Sequence, residues 1–200
     1  MRRGPRSGNG AAAGESGYRT IIWVGRNPTA RAGKTKTLIL IGVGSNLPGA
    51  QFGSPLETCR AALEELEREG VTIRRRSRWY ESAPVPPSGQ PWFVNAVAEV
   101  ATDRDPEALL ESLHRIEERF GRVRRERNEA RILDLDLLAY HDLVVNGPSG
   151  PILPHPRLHM RAFVLLPLAE LDPAWRHPLT GRSVAQLIKD LPPDQVARPI

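Results

Sequence analysis

Cysteine occurs once in the 200 residues, at Cys59. No internal disulfide can staple the chain, and one thiolate by itself cannot build a structural zinc site. Such thrift with thiols fits a reducing compartment, and the cytoplasm is the expected location. Long apolar runs are also missing. None reaches the roughly 18 residues that a membrane-spanning helix needs, so no membrane partner is expected. Acidic residues are scarce at one end: residues 1–37 hold eight Lys and Arg against Glu15 alone, +7 of an overall +5. The other 163 residues therefore carry −2, which is not the balance of a general polyanion binder.

The basicity belongs to a tail. Residues 1–20 are rich in Gly, Ala and Arg and show no apolar period that could bury a face, so a disordered, solvated tail is expected. A start assigned too far upstream and a mitochondrial transit peptide are the other readings. Against the latter, no clear amphipathic helix appears, and the apolar residues 21–24 are too few for a secretory core. Gly33-Lys34-Thr35 imitates a phosphate-binding loop. That motif needs a glycine five positions before Gly33, where Pro28 fixes φ and removes a donor, and residues 37–41 read as a strand, not a helix.

Residues 38–200 read as one folded domain. An apolar β-rich run at 37–43 predicts a first strand, ended by Gly42-Val43-Gly44-Ser45-Asn46. No third glycine follows to open a helix, so a dinucleotide fingerprint is weak. Ser54, Pro55 and Glu57 predict a capped helix whose Leu56, Cys59, Ala62, Leu63 and Leu66 share a face, with Gly70 as its stop. Strands are expected at 71–80, 92–101 and 132–140, and a loop with four prolines at 83–91. A second helix begins at Asp105-Pro106, and short helices are expected near 162–171 and 183–191. The order strand, helix, strand, strand, helix, strand predicts an α+β fold. It is that of a ferredoxin-like split βαβ, a largely antiparallel sheet flanked by helices.

Asp134-Leu135-Asp136 carries the most chemical information. On a strand, alternation sends Leu133, Leu135 and Leu137 to the core and projects both carboxylates from the other face. Like charges that close repel unless a cation sits between them. Hard oxygens without His or Cys partners suit magnesium, which also binds substrate phosphates. An exposed polar edge is the plainer reading of such a pair. Five arginines lie just upstream within 122–131, offering planar forks for phosphate oxygens; a solvated charge run is the alternative. His155 sits between Pro154 and Pro156, with Arg161 and Phe163 beyond it. Phe93 and Asn95 share a strand face, a ring to stack on and an amide to read a heterocycle, or simply a core aromatic.

These segments together resemble the 6-hydroxymethyl-7,8-dihydropterin pyrophosphokinases of folate biosynthesis. The resemblance rests on Gly44-Ser45-Asn46, on Arg115 to Glu117 leading into Phe120-Gly121-Arg122, and on Arg131-Ile132-Leu133-Asp134-Leu135-Asp136. Pro154-His155, Arg161-Ala162-Phe163 and the stretch 167–170 complete it, covering roughly residues 38–192 in order. It implies transfer of pyrophosphate from ATP to the pterin's hydroxymethyl oxygen, releasing AMP. It implies Asp134 and Asp136 as ligands of two magnesium ions and Arg122 and Arg131 as the catalytic arginines of a closing loop. It implies His114, Glu117, Arg124, His155 and Arg161 around ATP, and Ser82, Val85, Phe93, Asn95 and Phe163 around the pterin. A monomer with no nucleic-acid partner is expected. The runner-up, a nucleic-acid-binding module built from tail and arginine loop, gives no reason for Asp134 and Asp136.

The chain departs from the family's usual pattern at several points. Asn128-Glu129-Ala130 stands where many members have Trp-Gly-Pro, Phe93 where tyrosine is frequent, His114 where glutamine is frequent, and Pro156 where an aromatic is common. Because residues 1–37 hold no motif, deleting residues 1–36 should leave steady-state kinetics nearly unchanged. A large loss in the truncated chain would show that the tail belongs to the site.

Overall fold

The computed structural model describes residues 37–122, 129–147 and 150–200. The tail expected at 1–37 thus lies, but for Thr37, outside the described residues. The chain runs β1 (Ile39–Ser45), α1 (Pro55–Arg68), β2 (Thr72–Arg76), β3 (Tyr80–Ser82) and β4 (Phe93–Ala101). It continues through α2 (Pro106–Arg119), β5 (Asp134–Tyr140), α3 (Ala162–Leu171), α4 (Val184–Lys189) and β6 (Ala197–Pro199), with a 3-10 turn at Leu158–Met160. The strands form one six-stranded sheet in the order β5-β1-β4-β3-β6, with β2 also on β4. Every pairing is antiparallel. The expected split βαβ arrangement is present.

Capping explains where both long helices begin. The Ser54 hydroxyl accepts from the Glu57 N–H at 3.3 Å, and the Glu57 carboxylate accepts from the Ser54 N–H at 2.8 Å. Asp105 caps α2 by accepting from the Ala108 N–H at 2.8 Å. These contacts satisfy donors that have no partner within the first turn.

The single strand expected at 71–80 is two. β1 occupies one edge of β4, so β2 and β3 must share the other, pairing with residues 98–101 and 93–95 respectively. Between them Ser77 keeps the ladder with its side chain: its hydroxyl accepts from the Val97 N–H at 3.1 Å. β6, absent from the expectation, is three residues long and too short to show an alternation.

Each face of the sheet has its own core. On one, Ile39, Ile41, Val43, Ala96, Ala98, Leu133, Leu135 and Leu137 pack under α1 and α2. On the other, Leu40, Val97 and Leu138 pack under α3 and α4 through Val164, Leu165, Leu168 and Leu187. Opposite Leu40 and Ile41 the β5 register skips Leu138, and this bulge turns both Leu138 and Ala139 into the second core. The second helical layer begins only at α3, and the sheet face beyond the head of α3 carries the chemistry. Leu165 is fully buried beneath that layer, so Leu165→Ala should cost about 2–5 kcal/mol in denaturant unfolding. A change below about 0.5 kcal/mol would mean that α3 is not held by this core.

Candidate active site

Glycine makes the floor of the cleft. Along β1, Ile39, Ile41 and Val43 enter the first core, so the alternate residues Gly42 and Gly44 face the other way. Gly42 lies between Val97 and Asp136, and Gly44 between Asn95 and Asp134. A Cβ on Gly44 would meet the Asn95 Oδ1 at 2.9 Å, too close without a shift. Bare backbone is therefore what lets the flanking side chains meet over a trough. The sequence predicts that the segment from Gly42 ends the strand, yet β1 continues to Ser45.

Asp134 organises the charges. Its Oδ1 lies 2.6 Å from Nη1 of Arg122, and its Oδ2 lies 2.9 Å from Nη1 of Arg131. Arg122 also pairs with Glu117. Glu117 is 1% exposed and accepts the Leu135 N–H at 2.7 Å, so α2 reaches into β5 through a buried carboxylate. Among the described residues no arginine forms an ion pair with Asp136 as Arg122 and Arg131 do with Asp134. Burial first, and then the charge of Asp134, push the Asp136 carboxyl well above the ordinary range. His155 Nε2 stands 3.9 Å from Asp136 Oδ1. Burial, with Arg161 and Arg157 adding to it, pushes the imidazole down to about 4, so it is neutral at pH 7. The guanidinium of Arg161 lies 5.1 Å over the ring of Phe163.

A divalent cation fits this donor set. The half-buried carboxylates repel each other, and a cation between them would relieve that repulsion. Among the described residues no third His, Cys, Asp or Glu completes a cage. Two hard oxygen donors with the remaining positions left to water and phosphate would suit a hard divalent cation better than zinc.

From the trough the cleft continues into a pocket lined by Pro84, Val85, Phe93, Arg131 and Arg161, with Gly44, Asn95, Asp134 and Phe163 common to both parts. Asn95 Nδ2 donates to the Ser82 hydroxyl at 2.8 Å, and its Oδ1 lies above Gly44. The amide is thereby oriented with an acceptor toward the cleft. Ser82 is 2% exposed and stands behind Asn95 instead of lining the pocket. His114 lies one turn before Glu117 on α2 and is not among the residues that line either part of the cleft. Arg124 and Asn128 lie outside the described residues.

Asn46 has no role that the sequence alone predicts. It is 1% exposed. Its Oδ1 accepts the Arg131 N–H at 2.7 Å, and its Nδ2 donates to the Pro91 carbonyl at 3.1 Å. Its own N–H donates to the Arg131 carbonyl at 3.1 Å. Asn46 thus fastens the end of the arginine segment to the proline loop. The signal in the sequence was an amide directly after a strand, but nothing in the sequence named its partners.

A family model described as 7,8-dihydro-6-hydroxymethylpterin-pyrophosphokinase matches residues 40–173. The chain is 37% identical over 153 residues to a Synechocystis 2-amino-4-hydroxy-6-hydroxymethyldihydropteridine pyrophosphokinase, covering 76% of this chain and 75% of that protein. It is 38% identical over 161 residues to the Pseudomonas aeruginosa protein of the same name, covering 80% of this chain and 95% of that one. A crystal structure of Plasmodium falciparum HPPK-DHPS shares the fold, with a TM-score of 0.57 at 14% identity over 76% of this chain and 45% of that one.

Asn46→Ala should orphan the buried Arg131 N–H and cost about 1–3 kcal/mol. Hydrogen exchange at the Arg131 amide should speed up alongside the loss of stability. Unchanged protection there would mean that the loop end is held by something else.

Proposed function

The chain belongs to the 7,8-dihydro-6-hydroxymethylpterin-pyrophosphokinase family, and on that premise we propose how its residues divide the reaction. The enzyme transfers pyrophosphate from ATP to 6-hydroxymethyl-7,8-dihydropterin in folate biosynthesis, giving the pterin diphosphate and AMP. The hydroxymethyl oxygen forms a bond to the β-phosphorus and loses its proton. The bond from that phosphorus to the oxygen of the α-phosphate breaks, and AMP leaves with the electron pair.

The observation that carries the reading is the shared floor. One cleft joins a carboxylate pair flanked by guanidinium groups to a pocket lined by two phenylalanines, through Gly44, Asn95, Asp134 and Phe163. Phosphates would lie at the charged end. Asp134 and Asp136 would hold the divalent cation, magnesium and two ions of it in our reading, which when bound neutralises phosphate oxygens. Arg122 and Arg131 would offer their forks to the transferred group, already drawn beside it by Asp134. Glu117 would orient Arg122, while His114, Arg124, His155 and Arg161 would surround the nucleotide. At the other end the pterin would stack between Phe93 and Phe163, its N–H edge read by Asn95 Oδ1 and the backbone near Val85, with Ser82 holding Asn95. Holding both substrates on a rigid sheet supplies orientation that free reactants lack.

The nucleic-acid reading loses its footing, because Arg122 and Arg131 face Asp134 instead of forming an open basic surface. We further propose a monomer, and a cytoplasmic location, because a single cysteine fits a reducing compartment. Among the described residues no helix is long and apolar enough to cross a membrane.

AMP release from ATP and magnesium, with and without the pterin, tests the reaction. Pterin-dependent AMP without ADP is expected; ADP would place the attack on the γ-phosphorus and overturn the arrangement over Asp134 and Asp136. Asp136→Ala should lower turnover by roughly a hundredfold or more with the fold intact, because its side chain is 32% exposed. Retained activity would remove the metal assignment.

A further inference from the structure

The head of α3 carries Arg161 and Phe163, yet Arg161 has no side-chain bond capping the helix it precedes. A guanidinium has no acceptor and cannot serve as a cap. The first N–H of α3 is satisfied from elsewhere: Ala162 donates to Oε1 of Gln195 at 2.8 Å, across 33 positions. The same amide donates from Nε2 to the Met160 carbonyl at 2.8 Å. One side chain therefore grips the backbone on both sides of Arg161.

Gln195 is itself anchored to the opposite wall of the cleft. Its neighbour Val196 accepts the Ala83 N–H at 3.1 Å, at the start of the proline loop. Residues 197–199 pair with β3, and the Ile200 N–H donates to the Trp79 carbonyl at 2.9 Å. Two consecutive residues thus join the wall at 83–86 to the wall that holds Arg161 and Phe163. They lie beyond the matched family region, which ends at residue 173.

We propose that Gln195 is a positioning residue: it ties the head of α3 to the edge of the sheet and so sets where Arg161 and Phe163 stand over the cleft. The inference rests on the assignment of those two side chains to ATP and the pterin. Because Gln195 touches neither substrate in that scheme, its effect must pass through the helix head. Removing it should alter substrate affinity and leave the carboxylate–arginine end of the cleft as it is.

The test compares Gln195→Leu, which keeps the bulk and loses both bonds, with Gln195→Glu, which keeps the acceptor for the Ala162 N–H. In Gln195→Leu, amide exchange at Ala162 should quicken and the KM values for pterin and ATP should rise roughly three- to tenfold, with kcat moving less. Gln195→Glu should restore protection at Ala162 and recover part of the affinity. Arg198→Ala, which loses only the neighbouring contacts with Glu81 and Trp92, should leave both KM values alone. In a Phe163→Ala background the effect of Gln195→Leu on the pterin KM should shrink, because both changes act on one helix head. Unchanged exchange at Ala162 would overturn the clasp. Faster exchange with unchanged KM, or an equal penalty in the Phe163→Ala background, would overturn the positioning role. Failure of the functional reading is separately visible, since the unaltered enzyme would then release no pterin-dependent AMP while Ala162 exchange still reports on the clasp.

Discussion

Two carboxylates on one face of β5, half-covered by the head of a helix, cannot stand in a protein without compensation, and the site is arranged around that compensation. Burying a charge is costly unless it is paired and hydrogen-bonded. Asp134 meets the demand with Arg122 and Arg131, one on each oxygen. Arg122 in turn neutralises Glu117, whose remaining demand is met by the Leu135 N–H. Burial and the charge of Asp134 raise the carboxyl of Asp136, so a positive charge beside it would be favourable. In the proposed reaction, ATP with its divalent cation would bring a cation for the carboxylates and anions for the arginines at once.

The fold makes such a face available by covering a sheet on both sides while leaving part of one side bare. Alternation along β1 and β5 sends branched side chains into the first core, so the opposite positions are free to be small or charged. Where α3 and α4 cover that second face, Leu40, Val97 and Leu138 fill it; beyond the head of α3, Gly42, Gly44, Asn95, Asp134 and Asp136 replace them. Apolar contacts and polar chemistry are thus neighbours on the same strands, separated by one or two residue rises. The rigid core supplies the precision that a site of charged groups needs.

Loops that border the cleft are held by single amides acting on backbone. Asn46 fastens residue 131 to residue 91, and Gln195 fastens the start of α3 to the segment that ends in β6. A carboxamide is suited to this because it donates and accepts at once and adds no charge to a site already crowded with it. Neither position is an element of regular structure, and each decides where a charged residue points.

The amino-acid sequence by itself determined what depends on near neighbours. Ser54 with Glu57 marks the start of α1, the apolar stripe of Leu109, Leu113 and Ile116 belongs to α2, and the alternation around Asp134 and Asp136 separates core from site. Those signals are local because caps and periodicities are made by residues a turn or two apart. Tertiary structure alone decided that 71–80 breaks into two strands, that residues 197–199 add another, and that Gly42 and Gly44 form a floor instead of ending the strand. It alone decided that Asp134 would engage both Arg122 and Arg131, and that Asn46 and Gln195 would act on backbone 85 and 33 positions away. Such partners are chosen by how the sheet and its helices pack, and no period in the chain encodes a distance across the fold.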